Sequence, residues 1–206
     1  MSNIGHSAAR AVASKAIDVV LKNVDKNREE GVCKLIDFMQ KYMSEEKLDV
    51  NYDKAREMVC NKDGAFNKYI NRVLDEVDPH VLKTMALNLG FEAFMYGTKT
   101  IRKNREKYDC NVPWLILMDP TSACNLHCTG CWAAEYGNRL NLTFDEMDKV
   151  VQQGKELGTY LYMFTGGEPL VRKADLIKLC EKHNDCAFLS FTNGTLVDEA
   201  FCQELK

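Results

Sequence analysis

Only 4 prolines occur in the 206 residues, and one of them, Pro79, is alone in the first 110. Scarce proline leaves long stretches free to run as helix, because proline breaks helix interiors. Charge of one sign is lacking as well. The 27 Lys and Arg against 30 Asp and Glu leave a net charge of −3, so bulk charge gives no support to nucleic-acid binding and no nucleic acid is expected as a partner. No apolar run reaches the roughly 18 residues of a membrane span, so no transmembrane segment is expected. The first apolar stretch is broken by Arg10, Lys15 and Asp18 and carries no cleavage pattern of a signal peptide, which points to a cytoplasmic protein. An apolar share of 46% excludes disordered, collagen-like and mucin-like classes and is enough to bury a core in one domain or two small ones.

Cysteine is what the chain does not lack. Nine cysteines without an export signal read as intracellular thiols, and an odd number excludes complete pairing within the chain. Cys33, Cys60, Cys110, Cys180, Cys186 and Cys202 are scattered and read as small buried apolar residues. Cys180 and Cys186 flank a turn, but two thiols are too few ligands for a second cluster. Cys124, Cys128 and Cys131 fall within eight residues and mark the place to look for chemistry.

Composition changes near residue 110. Upstream, apolar residues recur at helical spacing through Ala8 to Val20 and again through Val32 to Met39. Further helices are expected over Tyr52 to Cys60 and Ala65 to Val77. Asp78-Pro79 reads as an N-cap with proline at the first helical position, opening a helix through about Tyr96 that Gly97 would end. The basic stretch Lys99 to Lys107 reads as a solvated face. Residues 1–110 therefore form an all-α region. Downstream, Trp114 to Met118 is a short apolar run that suits a strand buried on both faces. Thr143-Phe-Asp-Glu146 is a capping box opening a helix that stops near Gly158. Tyr160 to Thr165 is a second strand, Lys173 to Lys182 a helix, Ala187 to Thr192 a third strand, and a last helix begins near Asp198. The order β-α-β-α-β-α over 111–206 makes this an α/β protein with a parallel sheet. Its notable residues follow strand C-termini, where such sheets bind ligands.

Cys124-x-x-x-Cys128-x-x-Cys131 puts three thiols on one short loop, a donor set that favours zinc or an iron–sulfur cluster. Three protein ligands for four irons leave one iron open to a substrate or cofactor. Together with Gly166-Gly-Glu-Pro169 after the next strand and Thr192-Asn-Gly194 after the third, the cysteine loop resembles the radical S-adenosylmethionine (radical SAM) superfamily, in particular its Fe–S oxidoreductase and peptide-maturing branch. The resemblance covers about residues 112–206.

It implies that Cys124, Cys128 and Cys131 ligate a 4Fe–4S cluster whose open iron chelates S-adenosylmethionine. One electron then cleaves a C–S bond to give methionine and a 5′-deoxyadenosyl radical, which abstracts hydrogen from a substrate. Gly166 and Gly167 would admit close approach of the methionine ammonium, Glu168 would add a carboxylate near it, and Pro169 would fix the turn. Thr192 and Asn193 would line the cofactor pocket, with Phe188 and Ser190 on the same inward face by period-2 alternation. An electron donor such as flavodoxin or ferredoxin is implied, as is an unknown peptide, lipid or small-molecule substrate.

Gly130 stands where the family commonly places an aromatic residue, and Trp132 is the nearest replacement. The family's fold is a six-unit β/α barrel, and only the first three units fit here, so the chain reads as the N-terminal part of such an enzyme. Two other readings stay open. One is a non-catalytic Fe–S- or SAM-binding remnant, because half a barrel leaves an open sheet edge. The other is a zinc-stabilised interaction module with His127 as fourth ligand. It leaves Gly166 to Pro169 unexplained, and adjacent residues such as His127 and Cys128 rarely reach one tetrahedral ion. His6, His80, His127 and His183 read as surface or capping residues.

Overall fold

A computed structural model describes residues 3–23, 27–44, 50–137 and 139–206. The chain forms two compact units, Met1–Phe91 and Glu92–Lys206, whereas its composition changes near 110. The first unit holds helices α1 (Asn3–Asn23), α2 (Arg28–Tyr42), α3 (Tyr52–Cys60), α4 (Ala65–Glu76) and α5 (Pro79–Met85). Their starts are set by local side chains. Asn27, Asn51 and Asp78 each accept a hydrogen bond from a backbone N–H of the first turn, and Pro79 occupies a position that has no N–H to lose. Ala13, Ile17, Val20, Met43 and Val59 are buried, whereas Val12 and Val19 of the apolar series read from the sequence are 58% and 57% exposed.

Gly97 does not end a helix. Helical backbone continues from α5 through a π-helical stretch, Ala86–Gly97, and on into α6 (Thr98–Tyr108). The boundary between units falls inside this stretch. Within the second unit, Gly97 is needed for close approach. A Cβ on it would sit 2.5 Å from the carbonyl oxygen of Gly158, where no atom fits. α6 ends where Asp109 turns left-handed, at φ 48°.

The second unit is built on three parallel strands in the order β1 (Leu115–Met118), β2 (Leu161–Phe164) and β3 (Ala187–Ser190). Between them lie α7 (Phe144–Leu157) and α8 (Lys173–Lys182), and α9 (Glu199–Glu204) follows β3. The architecture is α/β, with a helix-rich N-terminal portion and a small parallel sheet. The capping box opens α7 as the sequence requires: Glu146 N–H donates to Thr143 Oγ1, and Thr143 N–H donates to Glu146 Oε2 at 2.7 Å.

α7 covers the face of the sheet that carries Ile116 and Tyr162. The Tyr162 hydroxyl donates to the Val151 and Thr159 carbonyls at 3.0 and 2.8 Å, and Gly154 lies against both Ile116 and that hydroxyl. Register places Phe188 beside Tyr162, and its ring stacks on Tyr162 and Phe164. Phe188 therefore faces the helix side, not the inward face expected for it, and Ser190 follows it there by alternation. The expectation that β1 is buried on both faces also fails. Leu117 is 54% exposed and Leu189 40%, because they occupy the face opposite α7. Among the described residues no helix is long and apolar enough to cross a membrane.

Candidate functional site

The three motifs singled out in the sequence meet at the C-terminal ends of the three strands. After β1 the backbone of residues 120–123 is held from both sides. On one side Ser122 N–H donates to the Leu140 carbonyl at 2.8 Å and Leu142 N–H to the Pro120 carbonyl at 3.1 Å. On the other, Thr165, Gly167 and Glu168 N–H donate to the carbonyls of Met118, Thr121 and Ala123 at 3.0, 3.0 and 2.8 Å. The cysteine loop thus springs from a base that the Gly-Gly-Glu-Pro segment itself clamps.

That clamp is why the two residues are glycine. Gly166 has φ +104°, which L side chains rarely adopt. A Cβ on Gly167 would lie 2.2 Å from the Ala123 carbonyl oxygen. The glycines let the two backbones touch.

Glu168 is 1% exposed and directs its carboxylate at protein donors. Oε1 accepts from Leu170 N–H at 2.9 Å and from Thr192 Oγ1 at 2.7 Å, and Oε2 accepts from Asn193 N–H at 2.8 Å. Pro169 opens a single 3-10 turn, Pro169–Arg172, that leads into α8. Thr192 and Asn193 lie just past β3, and Asn193 extends the brace to the cysteine loop. Its Nδ2 donates to Asn125 Oδ1 at 2.9 Å, Asn125 Nδ2 donates to Thr195 Oγ1 at 2.7 Å, and Thr195 N–H returns to Asn193 Oδ1 at 2.9 Å. Asn125, Thr195 and Arg172 escaped the sequence reading. Asn125 sits between ligand-type cysteines, where its own signal is masked. Arg172 donates to the Leu142 and Pro120 carbonyls at 2.8 and 3.1 Å, tying the loop base to the start of α8.

Cys124 and Cys131 are half-buried and Cys128 is exposed. Cys131 N–H donates to the Cys128 carbonyl at 3.3 Å, a turn that bends the loop back on itself. The fold brings the three thiols to one loop; among the described residues it does not gather any three metal-ligating side chains into a closed group. In donor chemistry the loop fits a soft metal centre, since all three thiols are accessible. Ligands of this kind are commonly drawn together by the metal itself. A cleft of about 540 Å³ is lined by Asp119, Trp132, Tyr136, Asn141 and Gly166 among others. Trp132 and Tyr136 meet edge to face across 6.0 Å. The residue offered by the sequence as an aromatic contact therefore lines a cavity that reaches the first glycine of the Gly-Gly-Glu-Pro segment.

The remaining cysteines do not share one buried environment. Cys186 is buried and Cys180 half-buried, and burial pushes the Cys180 thiol up to about 12, which leaves it inert at neutral pH. Cys60, Cys110 and Cys202 are exposed, contrary to the expectation of core thiols: Cys60 ends α3, Cys110 lies beyond α6, and Cys202 lies in the short helix α9, which has no buried residue. His183 caps α8 as the sequence allowed, but it is 4% exposed and its Nε2 lies 2.9 Å from Asp148 Oδ1. Burial alone would raise the Asp148 pKa. Hydrogen bonds from Lys182 and His183 outweigh it and hold the carboxyl below its ordinary value.

Comparison with known proteins agrees with this arrangement. Residues 118–206 match the model of the radical SAM superfamily, whose members in general use S-adenosylmethionine and a 4Fe–4S cluster. An AdoMet-dependent heme synthase of Methanosarcina barkeri is 30% identical over 47% of this chain and 28% of its own length. A GTP 3',8-cyclase of Clostridium perfringens is 31% identical over 46% of the chain and 31% of its own. A PqqA peptide cyclase of Bradyrhizobium diazoefficiens is 36% identical over 46% of the chain and 26% of its own. The chain thus spans under a third of the length of these curated relatives. No solved structure matches it. Residues 118–206, which hold the cysteine loop and the braced strand ends, are similar to the radical SAM superfamily.

Proposed function

We propose that Cys124, Cys128 and Cys131 hold a 4Fe–4S cluster, and that the strand-end segments Gly166, Gly167, Glu168, Pro169 and Thr192, Asn193 bind S-adenosylmethionine beside it. When bound, such a cluster supplies the single electron for reductive cleavage of S-adenosylmethionine, the start of hydrogen abstraction from a substrate. The observation that carries the reading is the brace: one buried carboxylate, Glu168, ties the second strand end to the third, and Asn193 ties the third to Asn125 in the cysteine loop. Three ligand-bearing strand ends are thereby fixed relative to one another, and a site must be held this way to position a reactive cofactor.

Glu168 acts here as a positioning residue. Its carboxylate orients the Thr192–Asn193 turn, while the exposed backbone and side chains of that turn face the cofactor. Trp132 and Tyr136 offer ring surface for an adenine in the adjoining cleft. The substrate is a peptide or small molecule, in keeping with relatives named for GTP, a peptide and heme. A flavodoxin or ferredoxin would supply the electron, in a cytoplasmic and oxygen-poor setting.

Anaerobic reconstitution with iron and sulfide tests the proposal. The protein should turn brown, show the EPR signal of a reduced cluster, and form 5′-deoxyadenosine from S-adenosylmethionine with dithionite. Cys128→Ala should lose the cluster, whereas Cys180→Ala should keep it. Zinc in the reconstituted protein without cluster absorbance would overturn the reading. A loaded cluster that yields no 5′-deoxyadenosine would reduce it to binding without catalysis.

A further inference from the structure

The first unit contains a pair of thiols that the proposed cluster site does not use. Cys33 lies in α2 and Cys60 is the last residue of α3, and their sulfurs stand 3.8 Å apart although 27 positions separate them in sequence. Cys60 is exposed and Cys33 half-buried. Burial pushes the Cys33 thiol upward, and the contact with Cys60 adds to this. Arg56 lies one turn before Cys60 and is fixed by Asp37 and Asp53, each at 2.8 Å. Its positive charge acts on Cys33 in the opposite sense to Asp37. Beyond Cys60 the backbone leaves the helix at Asn61. Cys60, at a helix end, is therefore the freer of the two side chains to close the sulfur contact to the roughly 2.05 Å of a covalent bond.

We propose that Cys33 and Cys60 form a reversible dithiol–disulfide couple that staples α2 to α3, with a low-molecular-weight disulfide of the glutathione class as oxidant. The exposed Cys60 thiolate attacks the small disulfide, forming a mixed disulfide and releasing one thiolate. Cys33 then loses its proton to solvent and its sulfur attacks Cys60 Sγ, forming the internal bond and expelling the second thiolate. Two protein thiols and one small disulfide become one protein disulfide and two small thiols, so two electrons pass to the oxidant. An intracellular disulfide of this kind is transient and responds to redox conditions.

The test is to incubate the full chain anaerobically with oxidised glutathione, quench with acid, alkylate, digest and map every cysteine by mass spectrometry. A peptide pair linked through Cys33 and Cys60, reversed by dithiothreitol, is the expected result. Cys33→Ser should instead accumulate one glutathione on Cys60, because the resolving sulfur is gone. Wild-type protein that keeps glutathione on Cys60 would overturn the proposal. So would free Cys33 and Cys60 at an oxidant level that already modifies the exposed Cys110. The wild-type map decides the matter alone if the variant misfolds, and it is independent of whether the cysteine loop binds a cluster.

Discussion

Replacing Glu168 by glutamine removes one charge and exchanges one acceptor oxygen for a donor amide, with almost no change in volume. In the native protein the carboxylate accepts three hydrogen bonds, of 2.7, 2.8 and 2.9 Å, and is 1% exposed. The carboxamide oxygen of glutamine can keep the bonds from Leu170 N–H and Thr192 Oγ1, but as neutral rather than charge-assisted ones, a loss of about 0.5–1 kcal/mol each. Its amide nitrogen then points at Asn193 N–H, donor against donor, which costs about 1–3 kcal/mol when the group cannot reach water. Thr192 and Asn193 are on an exposed turn, so water can relieve part of this and the lower end applies. The expected sum is about 2–3 kcal/mol. Both tryptophans, Trp114 and Trp132, belong to the second unit, so urea unfolding followed by tryptophan fluorescence reads this loss where it arises. Reconstituted Glu168→Gln should also release its iron faster. An unfolding free energy within about 0.5 kcal/mol of wild type would refute the claim that this carboxylate holds the strand ends together.

Gly167→Ala should destabilise the second unit by about 3 kcal/mol, near the top of the range for overpacking, because the Ala123 carbonyl 2.2 Å from the new Cβ is backbone and cannot rotate away. The same urea titration measures it. Asn125→Ala should change stability by about 1 kcal/mol or less, since its bonds to Asn193 and Thr195 are exposed, yet slow cluster assembly relative to wild type, followed by absorbance during reconstitution. Asp148 has a folded pKa below its unfolded one, so its contribution is fully present above the ordinary carboxylate value of about 4 and is lost as pH falls through the folded value. Asp148→Asn should therefore lower the urea midpoint at pH 7 and flatten the decline of stability below about pH 4. An unchanged decline in the variant would assign the acid sensitivity to other groups.

Much of the second unit is legible in the sequence because its signals are local. The capping box Thr143 to Glu146 closes within one helical turn, and Lys173–Lys182 is helical over the span that its periodicity indicates. Alternating β and α segments required a parallel sheet, and the three strands pair that way. The cysteine spacing and the Gly-Gly-Glu-Pro segment located the site for the same reason: each is a short run with its chemistry inside it. What the sequence misplaced depends on residues far along the chain. Gly97 looked like a helix stop because glycine often is one, but its small size serves a contact with Gly158. Phe188 looked inward until the register with Tyr162, and the position of α7, set its face.

By itself, then, the sequence determined the family resemblance over residues 118–206, the order of elements and the identity of the candidate ligands, because caps, periodicity and motif spacing act over a few residues. Only the tertiary structure decided that Glu168 serves Thr192 and Asn193, that Asn125 joins the cysteine loop to the third strand end, and that Cys33 meets Cys60. Those are contacts between segments that local chemistry leaves independent. They form because packing α7 and α8 against the sheet, and α2 against α3, brings distant polar groups and thiols within bonding distance and removes the water that would otherwise solvate Glu168.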